Sequence, residues 1–166
     1  DEKPAPEKIL FSGPQAGEKL PPLSAQAVFG EEQGKKLNLV KSAGKKPVLV
    51  VFVHQLTRPS IALTRVLMNF TIEREEDVYG ATVFLTADVP ATQARLVRAK
   101  GALATKRPVM ISTDGPEGPG AYGLNRNVTM TVIFAREGKV VSNFAIVDPS
   151  VQADTPRVLG TVIKTI

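Results

Sequence analysis

The stretch Val48–Val53 (VLVVFV) constrains this chain most, because it leaves no polar position at which a strand could face water. An uninterrupted, valine-rich run of strand length is the pattern of a strand buried on both faces of its sheet. It therefore demands packed layers above and below. A polar turn, His54–Ser60 (HQLTRPS), follows at once, and beyond it Leu63, Val66, Leu67 and Phe70 recur at i, i+3, i+4 and i+7. That spacing lines one side of a helix with apolar side chains. Pro59 sits in the first turn of this helix, where its missing N–H costs nothing.

The same reading extends along the chain. Tyr79–Ala87 predicts a second strand, Pro90–Lys100 a second helix stopped by Gly101, and Val109–Ile111 a short third strand, in the order β-α-β-α-β. After a loop at Thr113–Gly120, Met130–Phe134 and Lys139–Ile146 read as strands joined by a hairpin turn at Arg136–Gly138. Pro156 is expected to open a last helix whose Val158, Leu159, Val162 and Ile163 face the sheet. Upstream, residues 1–12 form a tail or a first strand at Ile9–Phe11, punctuated by Gly13-Pro14, and Gly34–Leu39 belongs to a short hairpin arm. Residues 13–166 are expected to form a single α/β domain, large enough to withdraw roughly 70% of its unfolded surface from water. No run approaches the ~20 apolar residues that a membrane helix needs.

Several spaced blocks resemble one family. Gly17–Leu23 (GEKLPPL), Gly34–Leu39 (GKKLNL), Gly44–Val48 (GKKPV), Ala121–Leu124 (AYGL) and Val128–Val141 (VTMTVIFAREGKVV) are similar to segments of the extracytoplasmic thioredoxin-like redoxins, the thiol-disulfide reductases and peroxiredoxin-like proteins. The resemblance spans roughly residues 13–165. It implies a thioredoxin-like fold: a central mixed sheet flanked by helices, with an N-terminal extension or hairpin. In its register the family's Cys-x-Pro-Cys turn falls on Thr57, Arg58, Pro59 and Ser60, and Thr129, followed by Met130, stands at the family's cis-proline. The chain contains no cysteine. A thiol reaction needs a thiolate, and a helix N-terminus can lower a cysteine pKa from about 8.5 into the physiological range, whereas no such shift yields a serine or threonine alkoxide. A cis bond before Thr129 would cost about 2.5–4 kcal/mol, so a trans bond is expected there.

The resemblance also implies a groove beside the turn that takes an extended protein segment, lined by Gln55, Leu56, Thr57, Arg58, Pro59 and Ser60 with Val128, Thr129 and Met130; read from the residues, Arg58 with a neighbouring His54 at the helix start could hold a small anion. Read from the residues themselves, Thr57 and Ser60 could be nucleophiles served by His54, the single histidine. No carboxylate is placed by sequence to orient that histidine. The other reading makes Thr57 a helix cap, Ser60 a small polar filler and His54 a loop-lining residue. Arg58 could grip a carboxylate, phosphate or sulfate, or be a solvated turn residue. Arg95, Arg98, Lys100, Lys106 and Arg107 read as a solvated face or a partner surface. Asp114–Gly120 lacks the Lys-Ser/Thr ending of a phosphate loop and reads as a connector.

One histidine and no cysteine provide no metal-ligand spacing, and no cofactor is expected. The net charge of +5 is spread over turn residues such as Lys35, Lys36, Lys41, Lys45 and Lys46, without interleaved aromatics, so nucleic acid is not an expected partner. The charged, proline-containing start Asp1–Pro6 fits an exported chain after signal removal, and the lack of cysteine fits an oxidising compartment. The expectation is a redox-inactive, extracytoplasmic binding or structural module and no enzyme. The alternatives are a small hydrolase or transferase working through His54, Thr57 or Ser60, and a remnant that holds an assembly together.

Overall fold

In the computed structural model, which describes residues 10–166, the apolar run becomes an inner strand of a seven-stranded mixed sheet. The elements are β1 (Ser24–Ala27), β2 (Lys36–Asn38), α1 (Leu39–Ala43), β3 (Val48–Val53), α2 (Arg58–Glu73), β4 (Tyr79–Phe84), α3 (Val89–Arg98), β5 (Val109–Ile111), β6 (Met130–Arg136), β7 (Lys139–Ile146) and α4 (Val151–Thr165). Across the sheet they stand in the order β2-β1-β5-β4-β3-β6-β7. β3, β4 and β5 are parallel, whereas β6 and β7 on one side and β1 and β2 on the other are antiparallel to their neighbours. This is the thioredoxin-like arrangement expected of the chain.

Every residue of β3 is buried, and its side chains alternate between two cores. Leu49, Val51 and Val53 pack with Leu63, Leu67 and Met68 of α2 and Val158 and Val162 of α4. Val48, Val50 and Phe52 point the other way, toward Leu23, Leu39 and Tyr122. Burying each such side chain contributes about 1.5–3 kcal/mol, so the two-sided burial fixes the strand's place and register.

The boundaries differ from expectation where side chains cap helices. The second strand stops at Phe84 rather than Ala87, because Thr86 Oγ1 accepts the Asp88 N–H and Asp88 Oδ1 accepts the Ala91 N–H, which starts α3. α3 ends at Arg98 and Gly101 does not stop the chain's coiling, which continues as a 3-10 turn over Lys100–Ala102. The last helix starts at Val151, and Pro156 lies inside it. Ser150 Oγ accepts the Ala153 N–H while the Asp154 carboxylate accepts the Ser150 N–H, and this reciprocal cap sets the start. Ile163 is 52% exposed and does not face the sheet; Val158 and Val162 do. β1 and α1 add to the elements that the sequence pattern predicts. Ile9 lies outside the described residues, and Leu10 and Phe11 form no strand.

The N-terminal segment lies against β6 and β7. Asn143 Nδ2 donates to the carbonyls of Ser12 and Pro14, at 2.7 and 2.9 Å, and the Gly17 N–H donates to Val140. The β6–β7 turn is Glu137-Gly138, with φ of 53° and 77°, the two positive values a type I′ hairpin requires. Among the described residues, no helix is long and apolar enough to cross a membrane.

Candidate functional site

The turn between β3 and α2 is held by a reciprocal cap. Thr57, in extended conformation, accepts the Ser60 N–H on its Oγ1 at 3.2 Å, and Ser60 Oγ accepts the Thr57 N–H at 2.9 Å. The sequence Thr-Arg-Pro-Ser is therefore a capping box with serine in the third helical position, where glutamate or glutamine is usual. Ser60 is fully buried, and its hydroxyl proton is directed to the Gln55 carbonyl at 2.8 Å, with the Thr57 carbonyl at 3.0 Å. Thr57 caps the helix, as one of the two sequence readings has it.

His54 does not join these hydroxyls. Its Nε2 shares a 2.9 Å hydrogen bond with Thr131 Oγ1 of β6, which in turn meets Ser12 Oγ. Its Nδ1 is buried without a partner. Burial lowers its pKa to about 4, so the ring is neutral at physiological pH. No hydrogen bond links His54 to Thr57 or Ser60, and none reaches it from a carboxylate among the described residues.

The opposite wall is closed. Val128 and Met130, placed by the resemblance along the groove, are both 0% exposed and cannot touch a ligand. Thr129 N–H donates to Ile146, its carbonyl accepts from the His54 and Gln55 N–H groups, and its hydroxyl donates to Val147. The backbone N–H and carbonyl of Thr129 are thus already satisfied and do not offer themselves to an added segment. The peptide before Thr129 is trans, as are all those of the described residues.

Arginines, not hydroxyls, dominate the accessible surface at the start of α2. Arg58 of α2 and Arg95 and Arg98 of α3 line a cleft of about 320 Å³ with Leu56, Thr57, Ile61 and Ala99. Arg95 is anchored by donating to the Leu56 carbonyl at 3.2 Å. None of the three arginines forms an ion pair among the described residues, and no carboxylate lines the cleft. Of the N–H groups at the helix start, that of Arg58 has no partner among the hydrogen bonds of the described residues. The Thr57, Ser60 and Ile61 N–H groups are bonded within the turn, and Pro59 has none. On the far side of Leu56 a smaller cavity of about 200 Å³ is lined by His54, Thr86, Thr92 and Arg95.

The structure divides the basic cluster noted in the sequence. Arg107 donates to the Thr71 carbonyl and stacks over Tyr79, and Lys100 lies over Phe29, 5.4 Å from the ring centre. Arg95 and Arg98 instead turn toward Arg58. Their i, i+3 spacing is visible in the sequence; that α3 lies beside the start of α2 is not. No group of three or more metal-ligating side chains occurs among the described residues.

No family model matches the chain, and no curated protein matches its sequence. Solved structures match its fold. A protein described as a thiol:disulfide interchange protein from Chlorobium tepidum is 16% identical over 90% of this chain and 96% of its own, with a TM-score of 0.69. A peroxidoxin from Mycobacterium tuberculosis is 15% identical over 92% of this chain and 98% of its own, with a TM-score of 0.63. An exposed lipoprotein thioredoxin from Streptococcus pneumoniae is 17% identical over 86% of this chain and 99% of its own, with a TM-score of 0.62. The likeness is one of fold, thioredoxin-like, on a chain that carries no cysteine.

Proposed function

We propose that this chain is a redox-inactive thioredoxin-like module, acting outside the cytoplasm, that binds an anionic group at the start of α2 and is not an enzyme. The observation that carries the reading is the convergence of Arg58, Arg95 and Arg98, all without ionic partners, on one cleft. A guanidinium grips a carboxylate, sulfate or phosphate through two parallel hydrogen bonds, so the arginines supply most of the affinity. The extracytoplasmic setting draws on the cysteine-free composition and on a structural neighbour described as an exposed lipoprotein. A hydrolase or transferase draws no support from a buried, doubly engaged Ser60 and a neutral His54 turned toward Thr131.

The test is a titration with sulfate and phosphate, followed by NMR shifts of the Arg58–Ala62 and Arg95–Ala99 amides. We expect saturable shifts that weaken with salt, because the site is exposed, and that shrink in Arg58→Ala. Affinity for sulfate should be flat between about pH 6 and 8, since neither sulfate nor His54 changes charge there. Amides that stay still in the wild type, or move equally in Arg58→Ala, would refute the reading.

A further inference from the structure

We propose that the arginine cleft continues along the outer side of α2 as a docking groove for an acidic segment of a partner protein carrying apolar residues between its carboxylates. The proposal rests on the anion-binding reading and extends it. A second cleft, of about 400 Å³, is lined by Arg58, Ile61, Ala62, Arg65, Val66, Ala102 and Val151. Arg58 and Ile61 line both clefts, so the two form one groove. Its α2 residues, Arg58, Ile61, Ala62, Arg65 and Val66, follow the three-four spacing of a single stripe on the helix. Arg95 and Arg98 of α3 flank one end, and Val151, the first residue of α4, bounds the other.

The chemistry of this stripe is double. Ile61 and Val66 are only partly buried and Val151 is 37% exposed, so an apolar floor faces solvent. Four arginines, Arg58, Arg65, Arg95 and Arg98, rim it, none of them in an ion pair among the described residues, and no acid lines either cleft. A free oxyanion would satisfy the arginines at one end and leave the apolar floor wet. A peptide with both chemistries covers the whole groove. Arg58 and Arg65 are seven residues apart, two helical turns or roughly 10 Å along the axis. Side chains on one face of an extended segment recur every second residue, about 6.7 Å, so carboxylates at the first and fifth positions, about 13 Å apart, lie within reach of the two long guanidinium side chains with an apolar side chain at the third position between them. Nucleic acid fits less well, because no aromatic residue lines the groove to stack a base. A lipid surface fits less well too, because the apolar residues form a floor and not a ridge.

The experiment titrates the full chain with three probes: a short peptide repeating Glu-Leu-Leu-Asp, the same peptide with serine for leucine, and sodium sulfate. We expect the leucine peptide to bind about tenfold more tightly than the serine peptide and to shift the Ile61–Val66, Ala102 and Val151 amides. Arg65→Glu should weaken the leucine peptide about tenfold and leave the sulfate shifts at Arg58, Arg95 and Arg98 in place, because Arg65 lines only the second cleft. Equal affinity for the two peptides, or indifference to Arg65→Glu, overturns the docking groove while sulfate binding keeps the anion reading. Silence toward all three probes overturns both. Tighter binding of a single-stranded oligonucleotide or of phosphatidylglycerol vesicles at these amides overturns the choice of partner.

Discussion

Ser60 holds the turn from inside: its oxygen accepts the Thr57 N–H while its proton goes to the Gln55 carbonyl. Ser60→Ala should cost about 1–3 kcal/mol, measured as a lower urea midpoint, because it removes half of a capping box and leaves buried polar groups unpaired. His54 makes stability depend on pH. Its folded pKa, about 4, lies below the unfolded value of 6.5, so between these values the unfolded state takes up the proton first. Its contribution is intact above about pH 6.5 and is lost as pH falls toward 4, by up to about 3 kcal/mol. Urea midpoints measured against pH should show this decline, and His54→Gln should flatten it. The Thr57 half of the cap was legible in the sequence as a hydroxyl ahead of a proline-started helix, whereas Ser60, read as a small polar filler, proves to be its reciprocal partner. The histidine's surroundings were not legible, since its partner Thr131 lies 77 positions away. The resemblance likewise put Val128 and Met130 along a groove, and both are buried.

At the level of elements, α2 approaches β4 so closely that a Cβ at Gly80 would collide with the Thr71 side chain. Thr71 cannot yield easily, since it is buried and its hydroxyl donates to Met68. Gly80→Ala should therefore cost about 1–3 kcal/mol of overpacking, read from thermal or urea unfolding. Periodicity exposed the elements that bury an apolar side, β3, α2 and the β6–β7 hairpin among them. It missed β1, whose sequence Ser-Ala-Gln-Ala has weak strand preference and pairs because the antiparallel flank of β5 is free to receive it. It missed α1, five residues held by the Asn38 side chain and by burial of Leu39 and Ala43. It began α4 at Pro156, where proline is a common first helical residue, although the cap formed by Ser150 and Asp154 fixes the start a turn and more earlier.

Across the whole molecule the sheet order and both cores are kept without any sulfur chemistry, since they depend on apolar alternation and not on the residues of one turn. Insulin-reduction and peroxide-consumption assays should match the buffer blank, and turnover that Thr57→Ala abolishes would contradict this account. The bonds of the N-terminal segment have a consequence for the order of events in folding. Ser12 meets Thr131 across 119 positions of chain and Asn143 across 131. Closing loops of that length loses much chain entropy, and the partners exist as a surface only after β6 and β7 have paired. We expect the Ser12–Gly17 stretch to latch after β6 and β7 have paired, and amide hydrogen exchange that is faster at Gly13 and Gly17 than in β6 would show it opening separately, with the Thr131 hydroxyl and His54 beneath it.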